Sequence, residues 1–200
     1  LNTITYTATK VDGTQEQKTT YWNMRSKLMV EMNELRAEQK PYFDKVAATS
    51  FEDVSKDAEL MQFVNSAGKT LFTDNCAPCH QAGGQGKIKL APNLTDDHWQ
   101  YGGKYEEIQT TITAGRHGMM PAFKASLSDE EITQAANYVL SLSGEPNDTA
   151  AAKAGDALFH GKAGCMACHG VDAKGMTALG SANLTDKIWL WADVQGAKTP

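Results

Sequence analysis

Along the first twenty residues the chain is polar, with six threonines before position 20 and an Asp12-Gly13 turn. From Tyr21 an apolar position returns every seven residues, at Leu28, Leu35 and Tyr42, with Met24 and Met32 on a similar face. This spacing predicts an amphipathic helix that ends near Pro41, its other face carrying Arg25, Lys27, Glu34, Arg36 and Glu38 in water. Leu60, Val64, Ala67 and Leu71 keep helical spacing and predict a helix running into Cys76. Tyr105, Ile108 and Ile112 mark a second, short helix. Ser128-Asp129-Glu130-Glu131 reads as a capping box opening a third, with Ile132, Ala136, Val139 and Leu142 inside, and Gly144 and Pro146 end it. A fourth helix is expected around Lys153–Phe159. The fold class expected from this pattern is all-α.

The pattern repeats at an offset of about 88–90 residues. Gly68-Lys69-Thr70-Leu71-Phe72 corresponds to Gly155-Asp156-Ala157-Leu158-Phe159. Asn93-Leu94-Thr95-Asp96 with Trp99 corresponds to Asn183-Leu184-Thr185-Asp186 with Trp189. The repeat predicts an N-terminal arm over 1–49, one complete domain over 50–145, and the N-terminal half of a second over 146–200. By the offset, Pro200 falls at about residue 110 of the first copy. The 200 residues are therefore expected to be part of a longer chain.

Between the repeated flanks stand Cys76-Ala77-Pro78-Cys79-His80 and Cys165-Met166-Ala167-Cys168-His169. Both are C-x-x-C-H, the attachment signature of c-type haem. Two thiols on one helical turn can add to the two vinyl groups of a haem, and the adjacent histidine then faces the iron. A zinc site would leave the histidine at the same offset in both copies unexplained. A thioredoxin-like pair needs a βαβ context, and short-range disulfides would ignore the histidines. Two covalent haems c are expected, with His80 and His169 as proximal iron ligands. Each motif is followed by a glycine-rich loop, Gly83, Gly84 and Gly86 in the first copy.

For the first haem, Met120 in the loop Gly115–Pro121 is the expected sixth ligand, with Met119 as its competitor. His117 and His98 are alternatives for which an ordinary surface histidine is the plainer reading. The carbonyls of Pro92 and Ala182 lie where they could accept from the proximal imidazoles. Arg116 could neutralise a propionate, and Trp99 and Tyr101 could pack on the porphyrin or in the core. Met176, near the second motif, reads as a surface or packing residue.

Composition narrows the classes. A net charge of −5, with 22% charged and 41% hydrophobic residues, excludes a chain built to coat nucleic acid and excludes wholesale disorder. No stretch has the roughly 18–20 apolar residues of a membrane helix, and the N-terminus carries no signal-peptide pattern.

From about Tyr42 to Trp191 the sequence resembles the dihaem c-type cytochrome subunit of cbb3-type cytochrome c oxidases. Pro41–Lys45 with Ala47–Ser50, Asn93–Gly103, Gly115–Phe123 and Tyr138–Ser143 carry the resemblance. It implies tandem class I cytochrome c domains, the second incomplete here. It implies a non-catalytic electron-transfer subunit that feeds an oxygen-reducing membrane oxidase. The other oxidase subunits and a cytochrome c donor are the implied partners, on the periplasmic side of the bacterial inner membrane. An N-terminal membrane anchor absent from this chain is implied as well. A free soluble dihaem carrier, a dihaem peroxidase and a haem-based gas sensor are the competing classes.

Overall fold

Threonine alternates with Ile4, Tyr6 and Ala8 through the first residues, a period of two in β-branched and aromatic residues that suits an extended strand. In the computed structural model, which describes residues 3–21 and 23–194 with the side chain of Tyr21 left aside, this segment is a β-hairpin. Strand β1 (Thr3–Thr9) pairs antiparallel with β2 (Gln15–Tyr21), placing Thr5 opposite Thr19 and Tyr6 opposite Lys18. The turn is closed by Asp12, whose carboxylate accepts from the Thr14 N–H at 2.9 Å, and by Gly13 at φ 82°. The all-α expectation is therefore corrected. The fold is helix-rich with one small sheet, because the threonine alternation outweighs the overall polarity of the segment.

Helix α1 (Met24–Ala47) opens on Asn23, whose side chain accepts from Ser26 N–H. It runs through Pro41 instead of ending there, a second correction. Beyond the proline, Tyr42 stacks on Phe63 at 5.2 Å and Phe43 meets the same ring edge-on at 5.0 Å. These contacts hold the last turn of α1 despite the missing amide donor. No residue of α1 is buried, so the heptad face, with Leu28 and Leu35, is exposed. Of the positions named from sequence, Tyr21 as a side chain and Pro200 lie outside the described residues.

The short helix α2 (Phe51–Val54) and helix α3 (Ala58–Asn75) follow, with Leu60 fully buried. The chain divides into two compact units, 1–70 and 71–200. The second unit holds both C-x-x-C-H motifs, as the one-turn helices α4 (Ala77–His80) and α8 (Met166–His169). It also holds α5 (Tyr105–Ala114), α6 (Asp129–Leu142) and α7 (Thr149–His160). The capping box at the start of α6 is formed: Ser128 Oγ accepts from Glu131 N–H and the Glu131 carboxylate accepts from Ser128 N–H.

Within this unit α6, the closing helix of the first repeat, packs on α7, the opening helix of the second. Gly155 is buried at the crossing, where a Cβ would stand 2.1 Å from Gln134 O. The rings of Tyr138 and Phe159 meet at 5.3 Å, and Asp148 N–H donates to Asn137 Oδ1 at 2.7 Å. Among the described residues no helix is long and apolar enough to cross a membrane.

Candidate functional site

The two motif turns are built alike. His80 N–H donates to Cys76 O at 2.9 Å and His169 N–H to Cys165 O at 3.0 Å, so in each copy both cysteines and the histidine share one helical turn. Each turn is left through the left-handed region, at Gln81 (φ 68°, ψ 161°) and at Gly170 (φ 81°, ψ 160°). The chain then doubles back, with Gly86 N–H donating to His80 O at 2.9 Å and Gly175 N–H to His169 O at 2.8 Å.

The returning chain brings a carbonyl to each imidazole. His80 Nδ1 lies 2.9 Å from Pro92 O, and His169 Nδ1 lies 2.8 Å from Ala182 O. These are the two carbonyls marked from sequence. A ring that donates from Nδ1 keeps its Nε2 lone pair for a metal, and the bond fixes the ring's orientation. The approach needs glycine. A Cβ on Gly86 would sit 2.5 Å from Asn93 N and 2.6 Å from Pro92 O; on Gly175 it would sit 2.3 Å from Ser181 O.

The Asn-Leu-Thr-Asp repeats explain themselves here as consecutive Asx turns. Asn93 Oδ1 accepts from Thr95 N–H at 2.8 Å and Asp96 Oδ1 from His98 N–H at 3.0 Å. Asn183 and Asp186 do the same for Thr185 and Ile188, both at 2.9 Å.

All four thiols are free, and burial pushes the Cys165 thiol up from its ordinary value. Among the described residues no three His, Cys, Asp or Glu side chains gather as a metal-binding cluster. The arrangement instead suits a haem at each turn: two thiols N-terminal to an oriented imidazole, beside a glycine-lined loop. Trp189 Nε1 supports the fit, being a buried donor with no hydrogen-bond partner among the described residues, one that a haem carboxylate could satisfy.

Met119 and Met120 are 83% and 72% exposed in the loop after Gly118. Arg116, read from sequence as a propionate partner, folds back onto α5. Its Nε donates to Thr111 Oγ1 at 3.0 Å and its Nη2 to Glu107 O at 2.9 Å, and its guanidinium lies 5.2 Å from the centre of the Tyr101 ring. Met176 lies in the return loop as expected, its N–H donating to Ser181 Oγ.

Sequence reasoning missed what His98 and Tyr101 do. His98 Nδ1 is 3.2 Å from Asp186 Oδ2, though not aligned as a hydrogen bond. Around this pair the return loops of the two repeats face each other. Lys89 N–H donates to Leu190 O at 2.7 Å, and Gln100 Nε2 donates to Gly180 O. Leu190 is the repeat counterpart of Gln100, and Gly180 that of Leu90. One bond thus joins positions 89 and 100 of the repeat and the other positions 100 and 90, so neighbouring places on the two copies face each other. The repeat offset carried this information, but only once the copies are known to touch.

Residues 64–139 match the family described as "Cytochrome C oxidase, cbb3-type, subunit III". The chain is 45% identical over 170 residues to the cbb3-type cytochrome c oxidase subunit CcoP of Rubrivivax gelatinosus, covering 84% of this chain and 53% of that protein. It is also 45% identical over 179 residues to subunit FixP of Azorhizobium caulinodans, covering 85% and 60%. With FixP of Bradyrhizobium diazoefficiens the identity is 40% over 188 residues, covering 88% and 63%. The chain thus spans somewhat over half the length of these curated relatives.

Proposed function

The chain belongs with the CcoP and FixP subunits of cbb3-type cytochrome c oxidases, and on that premise we propose that it carries electrons through two covalent haems c to an oxygen-reducing oxidase. The observation that carries this reading is the duplicated imidazole geometry, with each C-x-x-C-H histidine donating from Nδ1 to a backbone carbonyl. Haem iron supplies the one-electron chemistry, and the protein sets attachment, ligand orientation and access.

In this reading Cys76 and Cys79 tether the first haem and Cys165 and Cys168 the second, with His80 and His169 as proximal ligands. Met120 is the sixth ligand of the first. Residues 1–49 form an arm, 50–145 the first cytochrome c domain and 146–200 the first half of another. The partners are the other oxidase subunits and a cytochrome c donor, on the periplasmic side of the inner membrane. Membrane attachment comes from a segment outside these residues. Catalysis of oxygen reduction belongs to the partner subunits.

The test is haem stoichiometry followed by electron delivery. Protein matured with the c-type haem attachment machinery should carry two haems. Replacing Cys76 and Cys79 by alanine should leave one, and replacing Cys165 and Cys168 should leave the other. The reduced dihaem protein should then be oxidised by oxidase lacking this subunit. Unchanged haem content in either double variant, or no oxidation by the oxidase, refutes the reading.

A further inference from the structure

The two copies meet at one aromatic ring. Tyr101 lies half-buried between two glycine backbones, one from each repeat. A Cβ on Gly180 would stand 1.9 Å from Tyr101 Cε1 and 2.2 Å from Cζ, and a Cβ on Gly118 would stand 2.7 Å from its Oη. A side chain at either position would have to displace Tyr101. The ring is flanked by Arg116, itself bonded to α5, and Gln100 beside it donates to Gly180 O.

What matters is where the two glycines lead. Gly118 is followed directly by Met119 and Met120. Gly180 is followed by Ser181, whose hydroxyl donates to Cys168 O, and by Ala182, whose carbonyl receives His169 Nδ1. One ring therefore touches the backbone two residues before the sixth-ligand candidate of the first haem. It also touches the backbone two residues before the carbonyl that orients the proximal imidazole of the second. The methionine loop from Gly115 to Met120 has neither helix nor strand to hold it, and Tyr101 with Arg116 anchors its base.

We propose that Tyr101 is a positioning residue shared by both haem sites: its ring, wedged between Gly118 and Gly180, holds the Met120 loop in ligating position while the second repeat is docked. This rests on the reading of Met120 given above. It makes six-coordination of the first haem depend on the second repeat, a contiguous physical link between two redox centres. The ring edge faces Gly180 and the hydroxyl faces Gly118, so ring and Oη each carry one side of the wedge.

The experiment uses the full chain with both haems. Its readouts are the two midpoint potentials and the fraction of ferrous haem that binds carbon monoxide. Met120→Ala identifies the wave of the first haem by lowering it and opening that haem to carbon monoxide. Gly180→Ala and Tyr101→Ala should lower the same wave and raise its carbon monoxide binding about tenfold, the change that about 1.4 kcal/mol of lost docking produces. Tyr101→Phe, which keeps the ring against Gly180 but loses the Oη against Gly118, should fall between the parent and Tyr101→Ala. Tyr101→Ala adds no atoms, so it serves if Gly180→Ala fails to fold. If Met120→Ala moves the first wave while Tyr101→Ala leaves potentials and carbon monoxide binding unchanged, the positioning role is refuted. If Met120→Ala is silent while Tyr101→Ala still moves one wave, Met120 is not the ligand and the ring positions another. If both are silent, both assignments fall.

Discussion

His169 Nδ1 donates to Ala182 O across 2.8 Å, and the same bond recurs between His80 and Pro92 at 2.9 Å. The returning chain reaches each imidazole because a glycine lies beneath it, Gly175 in one copy and Gly86 in the other. Gly175→Ala would put a methyl 2.3 Å from Ser181 O and 2.9 Å from Ala182 O, both backbone atoms, at a residue with φ 75°. The expected cost is about 2 kcal/mol, from overpacking and left-handed strain. Denaturant unfolding measures it. The second haem's potential should shift as well, because the imidazole loses its fixed acceptor.

The copies differ where each turn ends. Gln81 sits at φ 68°, ψ 161°, a region that glycine occupies freely, and its counterpart is Gly170. Gln81→Gly should relieve the strain and stabilise the protein by about 1 kcal/mol, after the added freedom of the unfolded chain is subtracted. A higher denaturation midpoint with an unchanged haem spectrum is the expected result. A lower midpoint refutes the strain.

Much of the site was legible in the chain itself, because its signals are local. C-x-x-C-H lies on one turn, Ser128 and Glu131 form a box within one turn, and the carbonyls at Pro92 and Ala182 follow from loop length and the repeat. What escaped depended on contacts distant in sequence or on weak local competition. The heptad through Leu28 and Leu35 suggested a packed face, yet no residue of α1 is buried among the described residues. Pro41 should have stopped α1, but the Tyr42 and Phe43 contacts with Phe63 hold the helix beyond it. The hairpin was hidden by its polarity, since threonine suits a strand as well as a loop. Tyr101 could be named as an aromatic, but its place between Gly118 and Gly180 follows only from the docking of the repeats.

Met119 and Met120 are adjacent, and only one can lead into Pro121. Restriction of the pre-proline residue to extended backbone gives Met120 the fixed direction a ligand needs. Met120→Ala is expected to lower the first haem's potential and open it to small ligands, since a thioether ligand raises the potential. Met119→Ala should change neither. Carbon monoxide difference spectra of the two variants decide between them.

His160 lies at the end of α7, with Nε2 2.9 Å from Val171 O and Nδ1 2.9 Å from Asp156 Oδ1. Only the imidazolium donates from both nitrogens at once. The bond to Val171 O, followed by that from Nδ1 to the Asp156 backbone carbonyl at 3.1 Å and then by the Asp156 carboxylate, holds its pKa above the ordinary 6.5. Across α6, the Tyr138 hydroxyl faces the same Asp156 and is itself pushed up, chiefly by burial. The folded state therefore binds the proton more tightly than the unfolded. The stabilisation is complete below about pH 6.5 and is lost as pH rises through the folded value. Urea midpoints should fall with rising pH across that window, and His160→Gln should flatten the fall. An equal slope in the variant would mean the proton resides elsewhere.

Gly68 and Gly155 occupy the same place in the repeat, five residues in sequence that differ only at the second and third positions, yet their surroundings are opposite. Around a Cβ on Gly68, inside α3, nothing among the described residues lies within 4 Å. Around one on Gly155, inside α7, Gln134 O would be at 2.1 Å, Gln134 C at 2.6 Å and Tyr138 Cβ at 2.8 Å. Backbone cannot turn aside as a flexible side chain can, so α7 would have to move off α6. Moving it loosens the Tyr138–Phe159 ring contact and the bond from Asp148 N–H to Asn137. Gly68→Ala should therefore stabilise the protein by about 0.5–1 kcal/mol, the helix propensity difference alone. Gly155→Ala should destabilise it by about 2 kcal/mol in spite of the same propensity gain. Paired unfolding curves read both signs. If Gly155→Ala were neutral, the closing helix of the first repeat would not be seated on the opening helix of the second in solution.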